Sequence, residues 1–509
     1  MRRVVFAHGM KFVVSMSLMG IAATAMGKEP APKVGSLVSE SRTLTTADGV
    51  TVNYELGTFY VPENRHKAGS RAIGVGFARI RAPRPTGAPP VFWLPGGPGL
   101  AVLGAFDPSD NAGRSRLKSW INFGAVGDLV VIEQRGYTSR GEMLEVNTDA
   151  HPLNEPATIA QSKAGALAKA RRALASFPGK DLAGYDIGAY ADDVDDLRAA
   201  LGYDNITLFG GSFGSQWSFA VMKRHPGSVA RAVLSGVEPL DHGYDMPSHV
   251  YASMQRIAFD ADRDPGLKPY LPEGGTMAAL RAVHARLAAA PAVVSVADKD
   301  SGKPVSVTLG VGDFENALVE RSADASQWPA FVLSLYRRHY DDWARDTIEG
   351  RKAGTSAVIG PLVDTSLGVT PARAHRLRTD PAVGVLGEWN FAPYLAAADA
   401  WPTADMGDAF RGVVPTDIPV VFVHGDWDTS TPIENTLEVL PYYSHGHAIV
   451  VHRGGHDGTF YLLREDAKAK AAVYAFLRTG SMEGLPSSVT LPLPTFAKPT
   501  FAANGTDPL

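Results

Sequence analysis

The stretch ITLFGGSFGS at residues 206–215 constrains the fold more than any other part of the chain. An apolar run leads into a glycine-rich turn and then a helical pattern that continues to about Arg224, which predicts a strand, a sharp turn and a helix. GGSFG at 210–214 matches G-x-S-x-G, in which the serine stands on the turn and its neighbours lack a Cβ because strand and helix pass closely. Ser212 is therefore a candidate nucleophile. The amide of Phe213, at the helix N-terminus, is a candidate donor to a developing oxyanion.

Apolar runs alternate with helical patterns on both sides of this turn. Runs that are apolar at nearly every position are typical of parallel strands covered by helices on both faces, and here they lie at 91–94, 128–133, 229–236, 418–425 and 447–452. Residues 37–81 alternate instead, which predicts antiparallel strands at 51–54, 57–61 and 72–78. We therefore predict an α/β fold with a mostly parallel central sheet flanked by helices.

The pattern changes between about residues 240 and 416, where helices at 276–290, 311–321 and 328–340 are predicted between Pro- and Gly-rich loops. We interpret 240–416 as a helical lid inserted between two parts of the sheet domain, 28–239 and 417–480. A last helix is predicted at 460–478. The tail, 481–509, is predicted to be extended or poorly ordered. The aromatic residues of the lid are expected to be mostly core, with a minority lining a substrate pocket.

The N-terminus has the features of a signal peptide. Arg2, Arg3 and Lys11 precede an apolar run that ends near Ala25, followed by small residues that suit a signal peptidase. The run is shorter than the ~20 residues that a membrane span needs. We therefore predict a signal peptide at 1–27 and an exported protein, periplasmic or secreted, without a stable membrane span after cleavage.

Charge and cysteine content exclude several kinds of partner and site. Removing residues 1–27 would remove three positive charges and leave a net charge of −7, which argues against nucleic acid or an anionic membrane as partner. The chain has no cysteine, so disulfides, a cysteine nucleophile and thiolate metal sites are excluded. The aspartates at 192–196 are interpreted as a solvated helix face. We expect neither a metal nor a cofactor, and the sequence does not indicate an oligomeric state.

A serine, an acid and a histidine follow three predicted strands in the order Ser…Asp…His. Serine is a weak nucleophile at neutral pH, so it needs a base within hydrogen-bond reach and an acid that orients the base. His456 is the candidate base because it follows the end of a predicted strand and is preceded by two glycines, at 454 and 455. His424 and His452 lie within strand patterns and are interpreted as core or rim residues.

The acid is left open by the spacing alone. Asp426 and Asp428 both follow the strand at 418–425, and both could reach an imidazole at the same sheet edge. Asp457 is adjacent to the base and is a poorer geometric candidate.

Several segments, in this order, resemble the proline iminopeptidase and tripeptidyl aminopeptidase branch of the α/β hydrolases: GTFYVPENR at 57–65, PGGPG at 95–99, EQRG at 133–136, GGSFG at 210–214, DTSTP at 428–432 and GGH at 454–456. The resemblance implies the α/β-hydrolase fold with an inserted lid. It places the acid at the aspartate of D-x-x-T-P, here Asp428, and the oxyanion donors at Gly97 and Phe213. The chain has Pro95 where proline iminopeptidases usually have histidine, although the tripeptidyl enzymes tolerate proline there. It has Glu133 where the branch usually has aspartate.

The resemblance implies an exported serine exopeptidase that releases N-terminal residues from short peptides through an acyl-enzyme. Such an enzyme needs a carboxylate near the serine to bind the substrate ammonium. Glu238 and Glu133 are the candidates, and a salt bridge within a loop is the alternative for each. The same triad serves carboxylesterases and other acyl hydrolases acting on small esters or amides, which is the alternative function. A non-catalytic binding protein on the same fold is the third hypothesis.

Overall fold

The computed structural model describes residues 32–46, 49–107, 111–456 and 458–503. The predicted signal peptide and Asp457 lie outside the described residues. In the part of the chain that is described, no helix is long and apolar enough to cross a bilayer.

The strands are β1 (Leu37–Thr45), β2 (Thr51–Pro62), β3 (Ala72–Ile80), β4 (Val91–Leu94), β5 (Leu129–Ile132), β6 (Glu145–Thr148), β7 (Ile206–Gly211), β8 (Val229–Ser235), β9 (Ala292–Ala297), β10 (Pro304–Leu309), β11 (Gly354–Ala357), β12 (Val420–Gly425), β13 (Gly446–His452) and β14 (Ser488–Thr490). The α-helices are α1 (Asn111–Asn122), α2 (Ile159–Ser176), α3 (Ile187–Ala200), α4 (Phe213–Arg224), α5 (Pro247–Ala261), α6 (Gly275–Ala289), α7 (Val311–Arg321), α8 (Trp328–Tyr336), α9 (Asp341–Gly350), α10 (Ile359–Leu367), α11 (Pro371–Thr379), α12 (Val383–Leu386), α13 (Ala392–Ala397), α14 (Asp408–Arg411), α15 (Glu434–Val439), α16 (Gly458–Glu465) and α17 (Ala467–Thr479).

The main sheet has the strand order β1-β2-β3-β5-β4-β7-β8-β12-β13-β14. Pairing is antiparallel from β1 to β5, and every later neighbouring pair is parallel. The parallel strands β4 and β5 are connected in sequence by a segment that contains α1. The predicted α/β fold with a mostly parallel central sheet is confirmed.

Both faces of the sheet are buried, as continuous apolar strands require. On one face, Phe92 and Leu94 of β4 share an apolar core with Trp217 of α4. On the other face, Val91 and Trp93 of the same strand belong to a second core. Successive residues of a strand point to opposite faces, so β4 can be apolar at every position only if both faces are covered.

The antiparallel part differs from the prediction in one respect. Residues 51–54 and 57–61 were predicted as two strands, and they form the single strand β2. No turn-forming residue interrupts them at 55 and 56. Gly57 lies within this strand, and the position requires glycine because a Cβ there would lie 2.4 Å from the ring of Phe77 on β3.

Residues between β8 and β12 contain helices α5 to α14 and a core of their own, which includes Met254, Phe314 and Trp328. Two small strand pairs accompany them: β9 with β10, and β11 with β6. The helix predicted at 328–340 ends at Tyr336, because Arg338 has a left-handed φ of 64°.

The C-terminal region differs from the prediction at the last helix. It is broken into α16 and α17, because the Asp466 side chain accepts hydrogen bonds from Lys468 N and Ala469 N and so begins a new helix. After β14 the described part of the tail contains neither helix nor strand. Phe496 and Phe501 of the tail pack against the helices of the 240–416 segment.

Candidate active site

The strand-to-helix turn between β7 and α4 holds Ser212 in a strained conformation. Its φ of 57° lies in the left-handed region that non-glycine residues avoid. The neighbouring glycines are sterically required, since a Cβ on Gly210 would lie 2.2 Å from Gly214 O and a Cβ on Gly214 would lie 2.1 Å from Leu94 O. Within the described residues the Ser212 hydroxyl donates no hydrogen bond to another protein group.

The loop after β4 lies against the serine. A Cβ on Gly96 would lie 3.2 Å from Ser212 Cβ and 3.7 Å from its Oγ. Gln134 fixes the loop: its Nε2 donates to Gly96 O at 2.7 Å, and its Oε1 accepts from Gly99 N at 2.7 Å. Gly97 has a φ of 115°, a conformation that L side chains rarely adopt.

The predicted oxyanion donors are both backbone amides next to this serine. Phe213 is the first residue of α4, so its N–H is among the first-turn donors that have no acceptor within the helix. Gly97 belongs to the loop that Gln134 fixes beside Ser212. Among the described residues neither amide donates a hydrogen bond to a protein acceptor. Backbone amides without a protein acceptor are the kind of donor that stabilises a developing oxyanion.

The structure brings Asp428 to His456 and leaves Asp426 with other partners. His456 Nδ1 lies 2.9 Å from Asp428 Oδ2. Asp426 instead contacts His452 Nδ1 at 2.8 Å and accepts from Arg453 N at 2.8 Å. Of the two aspartates that the spacing left open, Asp428 and not Asp426 therefore contacts the imidazole of His456.

Asp428 is held as an ionised acid. Burial alone would raise its pKa, but the charges of His456 and His424 and their hydrogen bonds to it hold the pKa of Asp428 well below its usual range. Its other oxygen accepts from Ser430 N and Thr431 N, each at 2.9 Å. Thr431 Oγ1 also donates to Asp428 Oδ2 at 2.7 Å and lies 3.1 Å from His456 Nδ1. The carboxylate therefore has a fixed orientation toward the imidazole.

Ser212 and His456 both approach the end of β8. Ser212 N donates to Ser235 O at 3.0 Å. A Cβ on Gly236 would lie 3.0 Å from His456 Cε1, the ring atom between the two nitrogens. The imidazole of His456 therefore packs against Gly236. This glycine directly follows Ser235, which accepts the hydrogen bond from Ser212 N.

The other two histidines have structural roles. His424 is buried, and its nitrogens lie 2.6 Å from Thr436 Oγ1 and 2.6 Å from Thr431 O. His452 lies at the rim with nearly half of its side chain exposed, paired with Asp426.

Glu133 has a different place from the one predicted. It is fully buried, and its Oε1 accepts hydrogen bonds from Val102 N and Leu103 N at 2.6 and 2.7 Å. Its Oε2 accepts from Thr138 Oγ1 and Ser139 N at 2.7 and 2.8 Å. A carboxylate used in this way holds two loops together and is closed to a substrate ammonium, so the prediction for Glu133 was wrong.

Glu238 follows β8 and is linked to the serine through one side chain. Its backbone N donates to Ser215 Oγ at 2.9 Å, and that hydroxyl donates to Ser212 O at 2.7 Å. The Glu238 carboxylate has no hydrogen-bond or ion-pair partner within the described residues. Burial, together with the negative charges of Asp245 and Asp364, raises the pKa of Glu238 well above its usual value.

Asp245 and Asp364 were missed by the sequence reasoning. Burial raises the pKa of each to about 7. Asp245 accepts one hydrogen bond, from Asn435 Nδ2 at 2.9 Å. Asp364 lies on α10 within the 240–416 segment, and no motif distinguishes it from other helix aspartates. With Glu238 they form a group of carboxylates, which we call the acidic group. Among the described residues none of the three forms an ion pair, although the charges of Arg373 and Lys169 act on Asp245 and Asp364 respectively.

Two family models match the chain. One, described as alpha/beta hydrolase fold, covers residues 171–265, which include the turn at Ser212. The other, described as TAP-like protein, covers residues 390–488, which include Asp428 and His456. The strand order and these matches together decide the fold. The chain has the α/β-hydrolase fold. The matches support a hydrolase related to TAP-like proteins.

Solved structures to which this chain is similar include an esterase from Exiguobacterium antarcticum, at 12% identity over 86% of this chain and all of that chain, with a TM-score of 0.33. A bromoperoxidase from Bacillus anthracis matches at 13% identity over 82% and 99% of the two chains, also with a TM-score of 0.33. A 2-hydroxy-6-oxo-6-phenylhexa-2,4-dienoate hydrolase from Rhodococcus sp. strain RHA1 matches at 13% identity over 83% and 99%, with a TM-score of 0.32. No curated protein matches the sequence significantly.

Proposed function

We propose that this chain is an exported serine exopeptidase that removes N-terminal residues from short peptides. The single observation that carries the proposal is the acidic group next to a serine–histidine–aspartate site. An aminopeptidase must bind a free ammonium beside the scissile bond, and unpaired carboxylates offer the complementary charge. A simple ester substrate has no group that needs them.

The proposed reaction begins at Ser212. His456 accepts the serine proton as Oγ attacks the scissile carbonyl, and it later gives that proton to the leaving amine. Asp428 keeps the imidazole in orientation and stabilises its protonated form. The amides of Gly97 and Phe213 donate to the oxyanion, each worth about 3–4 kcal/mol in kcat. Water then attacks the acyl-enzyme while His456 accepts its proton and passes it to Ser212 Oγ, and the N-terminal product is released.

Binding of the ammonium is assigned to the acidic group. Glu238 is next to the serine loop through Ser215, and Asp364 comes from the 240–416 segment. A bound cation would favour the ionised form of carboxyls whose pKa burial has raised. The segment would then contribute to substrate selection as well as exclude large folded proteins.

The test is a panel of aminoacyl and short-peptide arylamides, each as the free amine and as the N-acetyl derivative. We expect turnover of the free amines and a loss of at least tenfold in kcat/KM on acetylation. Comparable turnover of both forms, with faster hydrolysis of p-nitrophenyl esters, would favour the carboxylesterase alternative. Failure of every substrate and of a fluorophosphonate probe would favour a non-catalytic binding protein.

Two variants sharpen the panel. Glu238→Gln removes one charge of the acidic group at nearly constant shape, and we expect it to raise KM for free amines while leaving ester turnover unchanged. Glu483→Gln, an exposed carboxylate in the C-terminal tail, is the matched control and should behave as wild type.

A further inference from the structure

The loops that carry the proposed acid and base are contacted by elements that do not belong to the central sheet. We call residues 426–432 the acid loop and residues 453–456 the base loop. The two loops are joined to each other, since Trp427 N donates to Gly454 O at 2.9 Å and Asp426 accepts from Arg453 N at 2.8 Å. Helix α5, the first helix after β8, and the C-terminal tail contact both loops.

Trp427 of the acid loop is buried in the core of the 240–416 segment. It is 4% exposed and lies in the same apolar cluster as Met254 and Ile257 of α5. Its ring also faces Phe496 of the tail, with ring centroids 6.3 Å apart. Because Trp427 immediately precedes Asp428, moving α5 as part of an opening flap would expose the tryptophan and disturb the acid.

Charged residues of α5 bind the same two loops. Arg256 Nη1 donates to Asp426 O at 3.0 Å, and its other terminal nitrogen pairs with Glu434. Asp260, one turn further along α5, accepts from Arg453 Nε at 2.8 Å. One face of α5 is thus bound to the acid loop and to the base loop.

Arg453 stands in a conformation that favours glycine. Its φ is 65°, in the left-handed region. An arginine at such a position is best explained by what its side chain contacts, which is Asp260 on α5 and Leu491 O in the tail, the latter at 3.2 Å. Three residues later the chain reaches His456.

We propose that Arg453 is a positioning residue, and that through Asp260 and the tail it keeps His456 aligned with Asp428. In this arrangement α5 and the tail are a fixed brace for the acid and base, and any motion that admits substrate takes place elsewhere in the 240–416 segment. The inference rests on the proposed serine chemistry, but not on whether the substrate is a peptide or an ester.

Arg453→Gly is the direct test, because glycine relieves the backbone strain while it removes the side chain. We expect an unchanged or higher melting temperature, a kcat about tenfold or more lower, and KM within twofold of wild type, since small misplacements of catalytic groups carry costs of this size. Arg338→Gly is the matched control. It replaces another arginine at a φ of 64°, and it should keep wild-type kcat.

A second variant checks that Arg453 acts through α5. Asp260→Asn should lower kcat in the same sense, and the double variant should be no slower than Arg453→Gly alone. Asp346→Asn, which breaks the surface Arg321–Asp346 pair, is its control. The rate of Ser212 labelling by a fluorophosphonate is measured in parallel, because it needs serine and base but no particular substrate. Wild-type kcat and labelling in Arg453→Gly, or additive losses in the double variant, would overturn the brace. Absence of labelling in the wild type would instead refute the serine chemistry itself.

Discussion

Asp428 Oδ2 lies 2.9 Å from His456 Nδ1, although the two residues are 28 positions apart in the chain. The loops that carry them follow β12 and β13, which pair in parallel and so end at the same edge of the sheet. Ser212 comes to that edge at the end of β7. The predictions below follow from this convergence and from the groups that surround it.

Thr431 should support the acid–base pair. Its hydroxyl donates to Asp428 at 2.7 Å and lies 3.1 Å from His456 Nδ1. Thr431→Val removes this contact at nearly constant volume, and we expect kcat to fall about tenfold with little change in KM. Thr431→Ser restores the hydroxyl and should recover most of the rate. Steady-state kinetics with a single arylamide is sufficient, and equal rates for Val and Ser would contradict the assignment.

Gly236 should be intolerant of a side chain for a local reason. Its φ is 49°, and a Cβ there would lie 3.0 Å from His456 Cε1. Gly236→Ala should displace the imidazole and lower kcat at least tenfold. Gly202→Ala is the control, since Gly202 also has a positive φ but no atom within 4 Å of the added Cβ. If both variants lost activity equally, backbone strain and not contact with His456 would be responsible.

The acidic group predicts how KM depends on pH. The pKa values of Asp245 and Asp364 are raised to about 7, so both carboxyls take up protons as the pH falls through 7. Loss of their charge weakens attraction for a substrate ammonium. We therefore expect KM for free-amine substrates to rise between pH 8 and pH 6. KM for an uncharged ester, measured over the same range, should stay constant; a parallel rise would show that the carboxylates do not bind the ammonium.

The same carboxyls should lower stability at neutral to alkaline pH. When folding raises the pKa of a carboxyl, the protein loses stability as the pH rises from the unfolded-state pKa of about 3.9 toward the folded-state pKa. Asp364→Asn removes this titration, so its melting temperature should exceed that of the wild type at pH 8 and approach it at pH 4. Thermal unfolding at the two pH values measures this difference. A lower melting temperature for the variant at pH 8 would contradict the burial argument.

Glu133 should matter for folding. Five groups donate to its carboxylate, and they belong to two loops, at residues 102–103 and 138–139. Glu133→Gln replaces a carboxylate by an amide that cannot accept at both ends, so we expect a loss of about 1–3 kcal/mol in the free energy of unfolding. Urea denaturation measures it. Unchanged stability together with a raised KM would restore Glu133 as a substrate residue.

The fold and the sharp turn at Ser212 could be predicted because the sequence carries their steric requirements directly. The strand and the helix pass so closely at Gly210 and Gly214 that a side chain does not fit at either position. Continuous apolar runs are typical of strands that are buried on both faces. Asp428 was selected over Asp426 only by resemblance, since two aspartates two residues apart on one loop satisfy the same spacing. The structure separates them because Asp426 turns to His452.

The acidic group and the role of Glu133 could not be predicted in this way. Whether a carboxylate is paired or unpaired depends on which elements meet around it, and Asp364 reaches the group from a helix more than a hundred residues after Glu238. Glu133 differs from Glu238 only in its partners, which come from loops at 102–103 and 138–139. Such partners are a tertiary property that local patterns do not encode.

The central claim is that Ser212 is the nucleophile and His456 its base. Intact-protein mass spectrometry after treatment with a fluorophosphonate tests it most directly, with wild type, Ser212→Ala and His456→Ala compared. We predict one adduct on the wild type, located at Ser212 by peptide mapping, none on Ser212→Ala, and much slower labelling of His456→Ala. An adduct at another residue, or Ser212→Ala hydrolysing substrate at the wild-type rate, would contradict the account.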